Sequence, residues 1–378
     1  MFAVKIVLLL FLSRYAGAQQ SCTTPDNKSG RCLSIGQCPT MIDFLNNSPK
    51  PFSNDVKELL NRYVCTYEDE AINTKICCPS DPIDISGRNK EVPPPPPPDV
   101  LNHENLKLLP EECGQINSDE KIRGGTEARL RDFPWMALLA YNTDTGREFK
   151  CGGSIINENY ILTAAHCIVK TPYPLVGVRV GEYSILSEKD CEEQKPNDCL
   201  PSPQDLTVEK TIVHPNYSTK SFSNDIALLR VSKINMESDS IQPVCLPVYE
   251  EVITQDYKRG IVTGWGFTDP YRNNVVDILQ KVVLKKRNMT VCTEAYKVQS
   301  QIKLSHKQIC AGGEGIKDSC GGDGGGPFHV PADFNDDVRF VQRGVVSIGH
   351  RLCGTEGFPG IYTKVTYYAK WILDNIKP

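Results

Sequence analysis

The chain has 378 residues, room for two or three domains at about 150 residues each. Hydrophobic residues make up 40% and charged residues 23%, which excludes wholesale disorder, collagen and a membrane bundle. The formal net charge of −4 gives no sign of a nucleic-acid partner. Cysteine is the outlier. Sixteen cysteines against 6 histidines, with no C-x-x-C, predict eight disulfides and an oxidising compartment rather than zinc.

At the N-terminus, Lys5 precedes an apolar run at 6–12, and Ala16-Gly17-Ala18 has a small-x-small form. Residues 1–18 are expected to be a signal peptide, which makes the protein secreted and extracellular. The run is too short to span about 30 Å of hydrocarbon, and no later segment is long and apolar enough, so no membrane partner is expected. Sequons at Asn27, Asn46, Asn216 and Asn288 are candidate glycosylation sites.

Residues 22–78 hold Cys22, Cys32, Cys38, Cys65, Cys77 and Cys78. So short a segment buries too little apolar surface to fold securely on its own core, and disulfides are the natural staples. The six cysteines leave about 15 pairings open. Adjacent Cys77 and Cys78 are expected to bond to different partners. Residues 79–121 read as a linker that ends in an activation segment. Its consecutive prolines at 93–98 favour extended polyproline II, a semi-rigid spacer rather than an SH3-type ligand outside the cell.

Beyond residue 113 the pattern is all-β. Apolar runs at 135–141, 154–163, 225–231, 260–265, 344–348 and 360–365 are rich in β-branched and aromatic residues, and turn residues bound most of them. The stretch 367–376 places Tyr368, Trp371, Ile372 and Asn375 at helical spacing, which predicts a C-terminal helix.

Three motifs carry chemistry. Thr163-Ala164-Ala165-His166-Cys167 sets a histidine beside a cysteine. Asn224-Asp225-Ile226-Ala227-Leu228-Leu229 sets an aspartate at the mouth of a strand. Asp318-Ser319-Cys320-Gly321-Gly322-Asp323-Gly324-Gly325-Gly326-Pro327 is a glycine-dense loop. Each alone has a plain reading as a core histidine, a strand-end aspartate or a flexible loop. In this order, over 122–378, they resemble the trypsin/chymotrypsin-like serine proteases. The resemblance implies two β-barrels closed by the C-terminal helix.

That family's loop reads G-D-S-G-G-P, and here Gly324 stands where the nucleophilic serine belongs. No Oγ exists for His166 to activate. Ser319 lies five residues earlier, beyond Cys320, and cannot replace it without rebuilding the loop. Loss of that serine lowers turnover by on the order of 10⁶ in a related hydrolase. The chain is therefore expected not to be an enzyme, with His166 and Asp225 as remnants.

The resemblance also implies what surrounds the gap. The amides of Gly322 and Gly324 would form the oxyanion hole. Asp318 would sit at the base of a specificity pocket for Lys or Arg, with Gly349 and Gly360 as its small walls. Ser347-Ile348-Gly349 would pair with a substrate backbone. Cleavage after Lys121 would free the ammonium of Ile122 to pair with Asp323, although Arg123 replaces the family's usual valine and offers a competing site. Cys113–Cys245, Cys151–Cys167, Cys292–Cys310 and Cys320–Cys353 would staple the body, leaving Cys191–Cys199 to close a surface loop. Upstream, the six cysteines match the clip domain of arthropod proteases. Its usual pairing implies Cys22–Cys77, Cys32–Cys65 and Cys38–Cys78.

Two weaker candidates remain. Glu182 and Asp190 resemble oxygen ligands of a Ca²⁺ loop in some clip proteases, against the plain reading of a solvated acidic loop. Lys285-Lys286-Arg287 is either a polyanion contact or an exposed basic strand.

The whole resembles the clip-domain serine protease homologs, which implies a role in innate immunity through prophenoloxidase activation and melanization. The expected partners are prophenoloxidase and its activating protease. The intact pocket favours a decoy that blocks the cascade, as in parasitoid venoms. The alternatives are a positive cofactor of the same cascade, an active protease whose Gly324 is engineered or erroneous, and a structural adhesion protein.

Overall fold

The computed structural model describes residues 21–25, 28–48, 50, 52, 54–66, 75–81, 83, 94–116, 126–169, 171–267, 276–299, 301–315, 319–334, 337–350 and 353–378. The expected signal peptide, Asn27, Lys121, Ile122, Arg123 and Asp318 lie outside them. The chain divides into two compact units, Met1–Pro94 and Pro95–Pro378.

In the first unit, β1 (Ser21–Thr23), β2 (Ser29–Ser34), β3 (Val64–Thr66) and β4 (Lys75–Pro79) form one antiparallel sheet in the order β1-β2-β4-β3. Helix Pro39–Asn47 starts with proline at its first position, where the missing N–H would have no partner in any case. It turns Met41 and Phe44 inward, one helical turn apart, onto Leu59, Tyr63 and Ile76. At Gly30 a Cβ would lie 2.7 Å from Cys77 Sγ, so the strand approaches the disulfide where only glycine fits.

The second unit holds two seven-stranded sheets. The first is built from β6 (Met136–Thr143), β7 (Gly146–Asn157), β8 (Tyr160–Thr163), β9 (Leu175–Val180), β12 (Gln204–Leu206), β13 (Val208–Val213) and β14 (Ala227–Val231), with the hairpin β10 (Cys191–Glu192) and β11 (Lys195–Cys199) outside it. The second comprises β5 (Thr126–Glu127), β15 (Arg259–Gly264), β16 (Gln280–Arg287), β17 (Gln308–Ala311), β18 (Pro327–Phe334), β19 (Asp337–Ile348) and β20 (Gly360–Lys364), and a β15–β16 pairing closes it. This is the two-barrel, mostly-β architecture expected. Its main core packs Trp135, Leu139, Ile155, Ile161 and Leu228 from the first sheet against Val345 and the C-terminal Ile372.

Two details differ from the sequence reading. The run 154–163 is two strands, because Asn157 Oδ1 accepts from Asn159 N at 3.0 Å and turns the chain. The C-terminal helix starts as a 3-10 turn, Val365–Tyr368, before the α-helix Ala369–Asn375.

The stretch read as a spacer is only partly one. From Pro95 it belongs to the second unit. Asn105 Nδ2 donates to Leu373 O at 2.9 Å and Ile376 O at 3.2 Å, and His103 Nε2 meets Asp374 Oδ1 at 3.0 Å. Gly114 N donates to Pro243 O, and Gly114 O accepts from Phe340 N. These contacts, through main chain, amide and the His103–Asp374 side-chain pair, are not revealed by proline content.

All eight implied disulfides form: Cys22–Cys77, Cys32–Cys65, Cys38–Cys78, Cys113–Cys245, Cys151–Cys167, Cys191–Cys199, Cys292–Cys310 and Cys320–Cys353. No cysteine is free. Among the described residues, no helix is long and apolar enough to cross a membrane.

Candidate active site

His166 follows the buried Ala164-Ala165 at the end of β8 and opens the short helix His166–Val169. Asp225 is fully buried just before β14. The loop that delivers it contains two non-glycine residues at positive φ, Phe222 (54°) and Asn224 (57°). Asn224 holds this conformation with its side chain: Nδ2 donates to Asn216 O at 2.8 Å, and Oδ1 accepts from Tyr368 Oη at 3.0 Å.

The Asp225 carboxylate collects three bonds. Oδ1 accepts from His166 N at 2.8 Å. Oδ2 accepts from Ser347 Oγ at 2.6 Å and is 2.8 Å from His166 Nδ1. With Nδ1 held at Asp225, His166 directs Nε2 toward residue 324. The bonds from Ser347 to Oδ2 and from Thr363 Oγ1 to Asp225 O were not foreseen. Ser347 was in view only as part of a substrate-pairing strand. Its side-chain role is invisible without the sheet register that brings β19 past Asp225.

The glycine loop is fastened from both barrels. Gly324 O accepts from Gly152 N, Gly325 N donates to Val346 O, and Val346 N donates to Gly326 O. Gly322 (φ 99°) and Gly325 (φ 80°) take left-handed conformations that L side chains resist. Among the described residues the amides of Gly322 and Gly324 have no acceptor. They face an open cleft of about 420 Å³ together with His166, Ser319, Ser347 and Gly349.

Of the expected pocket walls, Gly349 borders the cleft and Gly360 is not among the residues that line it, while the expected base, Asp318, lies outside the described residues. Ser319 Oγ and Tyr362 Oη are 3.0 Å apart. A Cβ on Gly360 would lie 2.7 Å from Tyr362 Oη, whereas one on Gly349 would meet nothing nearer than Ser319 O at 3.9 Å. Pairing of β19 with β18 ends at Val345, so among the described residues one side of Ser347-Ile348-Gly349 faces no strand.

Asp323 lies behind this loop. Its oxygens accept from Gly266 N at 2.9 Å and Cys320 N at 2.8 Å. Desolvation outweighs those two bonds and raises its pKa to about 6.

The Ca²⁺ reading does not fit. Glu182 Oε2 meets Arg179 Nη1 at 3.1 Å and its Oε1 accepts from Tyr183 N. Asp190 Oδ2 accepts from Ser184 N at 3.1 Å. The guanidinium already supplies the positive charge a cation would bring. The sulfurs of Cys151 and Cys167 lie near His166, but they share a disulfide and are not thiolate ligands. Of the described sequons, Asn46, Asn216 and Asn288 are exposed. Asn288 also caps helix Met289–Ala295 by accepting from Thr290 N.

Residues 122–372 match the family described as Trypsin, and 22–78 match the regulatory CLIP domain of proteinases. The chain is 36% identical to CLIP domain-containing serine protease B10 of Anopheles gambiae, covering 99% of each chain. It is 34% identical to phenoloxidase-activating factor 3 of Holotrichia diomphalia, over 95% of this chain and 94% of that one. It is also 34% identical to melanization protease 1 of Drosophila melanogaster, over 94% and 93%. Among solved structures, the Drosophila Grass clip serine protease of the Toll pathway matches with a TM-score of 0.62 and 31% identity, over 94% of this chain and 97% of that one.

Proposed function

The chain belongs to the clip-domain serine proteases of the trypsin family, and from that premise we propose that it is a secreted, non-catalytic member that modulates a phenoloxidase or melanization cascade by binding. The observation that carries this reading is Gly324 standing beside a His166–Asp225 pair that is in hydrogen-bond contact. Among the described residues the amides of Gly322 and Gly324 have no acceptor, and both residues line the cleft. A bound peptide carbonyl would find the donors but no hydroxyl to attack it. No acyl intermediate forms, and the peptide is held rather than cut.

Such a molecule competes with a working protease for the same partner, and we assign it the role of decoy inhibitor. Its partners are then cascade proteins, prophenoloxidase or the protease that activates it. The test is addition of purified protein to arthropod haemolymph across a wide concentration range. The decoy reading requires a dose-dependent fall in phenoloxidase activation. A rise would select the cofactor role, and a flat response would reject both.

A further inference from the structure

Arg343 is the extra residue of a β-bulge. Gln342 pairs with His329 and Gly344 with Phe328, which leaves Arg343 opposite no residue of β18. A bulge re-aims the side chain it carries. Here it points a guanidinium into the protein: Arg343 is 3% exposed, and its Nε has no hydrogen-bond partner. Among the described residues Arg343 meets no carboxylate. It lies over the Tyr257 ring at 5.5 Å, and Lys286 Nζ lies over the same ring at 4.5 Å.

Lys364 adds a third cation. It pairs with Gly344, the residue after Arg343, and it too meets no carboxylate among the described residues. Its pKa is lowered, first by desolvation and then by repulsion from Lys286 and Arg343. Among the described residues, the acid that meets this group is the exposed Asp256, 2.9 Å from Lys286 Nζ. The group therefore carries three positive charges against one negative. A buried charge without a partner is costly, and a cluster of like charges more so. A planar guanidinium backed by ammonium groups matches one ligand class well, an oxyanion that can accept several N–H bonds at once.

We propose that Arg343 and Lys286, which share the Tyr257 ring, together with Lys364 on the neighbouring strand, whose ammonium lies over Tyr367 at 5.1 Å, form a binding site for a sulfate or phosphate group, either as a free ion or as an ester on a glycan. None of these residues lines the cleft at His166. The site is thus separate in space from that cleft.

The test is thermal unfolding of the full-length protein in sodium sulfate, against sodium chloride of matched ionic strength. Sulfate should raise Tm saturably in the natural protein. Arg343→Gln and Lys364→Gln should each weaken the apparent affinity about tenfold or more, equivalent to about 1.4 kcal/mol. Lys364→Gln keeps the test decisive should the buried substitution fail to fold. Calorimetry with a heparin-derived hexasaccharide distinguishes the sources. Binding lost in the variants places the group on a glycan, while saturable binding of inorganic sulfate alone assigns a free ion. Equal shifts by sulfate and chloride in all three proteins, with no saturable binding of either probe, would overturn the site.

Discussion

A Cβ placed on Gly324 would lie 2.7 Å from Nε2 of His166, closer than side chains tolerate. The imidazole has kept its bond to Asp225 while closing on the space a nucleophile would need. The vacancy is chemical more than spatial: the base now occupies part of it.

Gly324→Ser is therefore expected to restore only part of a protease. After cleavage following Lys121, the natural protein should show no measurable amidase activity on Arg or Lys substrates. The revertant should show some, limited by how far His166 can retreat, since triads need sub-ångström alignment. Asp318→Ser in the revertant serves as the specificity control. Activity in the natural protein that survives purification would show the site to be misjudged. An inert but folded and correctly cleaved revertant would mean that more than the hydroxyl is missing.

His329→Leu should stabilise the protein. His329 is fully buried among Phe133, Trp135 and Phe340, and neither ring nitrogen has a partner. Unsatisfied buried polar atoms cost about 1–3 kcal/mol. Burial lowers the imidazole pKa from 6.5 to about 3. Between those values the unfolded chain holds the extra proton, so this residue removes stability as pH falls. The gain in Tm from leucine should be larger at pH 5 than at pH 7.5. A gain that does not change with pH would contradict the assignment.

Asp323 has the opposite sign. Its folded pKa of about 6 lies above the ordinary 3.8, so in this window the folded state binds the extra proton. Stability contributed by the neutral acid is lost as pH rises through 6. In the uncleaved protein, Tm of the natural form minus that of Asp323→Asn should fall as pH goes from 4 to 7. A flat or rising difference would mean the carboxyl is already paired.

Thiol titration of the denatured, unreduced protein should give essentially zero, because all sixteen cysteines are bonded. Two or more reactive thiols would break the disulfide assignment.

Much of this was legible in the sequence, and for physical reasons. The strands and C-terminal helix announce themselves by alternation and spacing, as at 360–365 and 367–376. His166, Asp225 and Gly324 stand out because catalytic loops need short, fixed motifs. Other features depend on register. Ser347 reaches Asp225 only because β19 runs past it, and Arg343 turns inward only because a bulge falls at that residue. The docking of Asn105 onto Leu373 and Ile376 rests on carbonyls hundreds of positions away. No local pattern carries such information.

The Cys113–Cys245 bond joins the segment before the cut to the body after it. Proteolysis anywhere in 117–125 therefore leaves the two pieces covalently joined. Under the proposed role, a partner held by the clip module would stay at a high effective concentration for the cleft, because the two pieces stay covalently joined. As the proposed decoy, a molecule cut in 117–125 would stay bivalent until the Cys113–Cys245 bond is reduced or the chain is cut again upstream of Cys113.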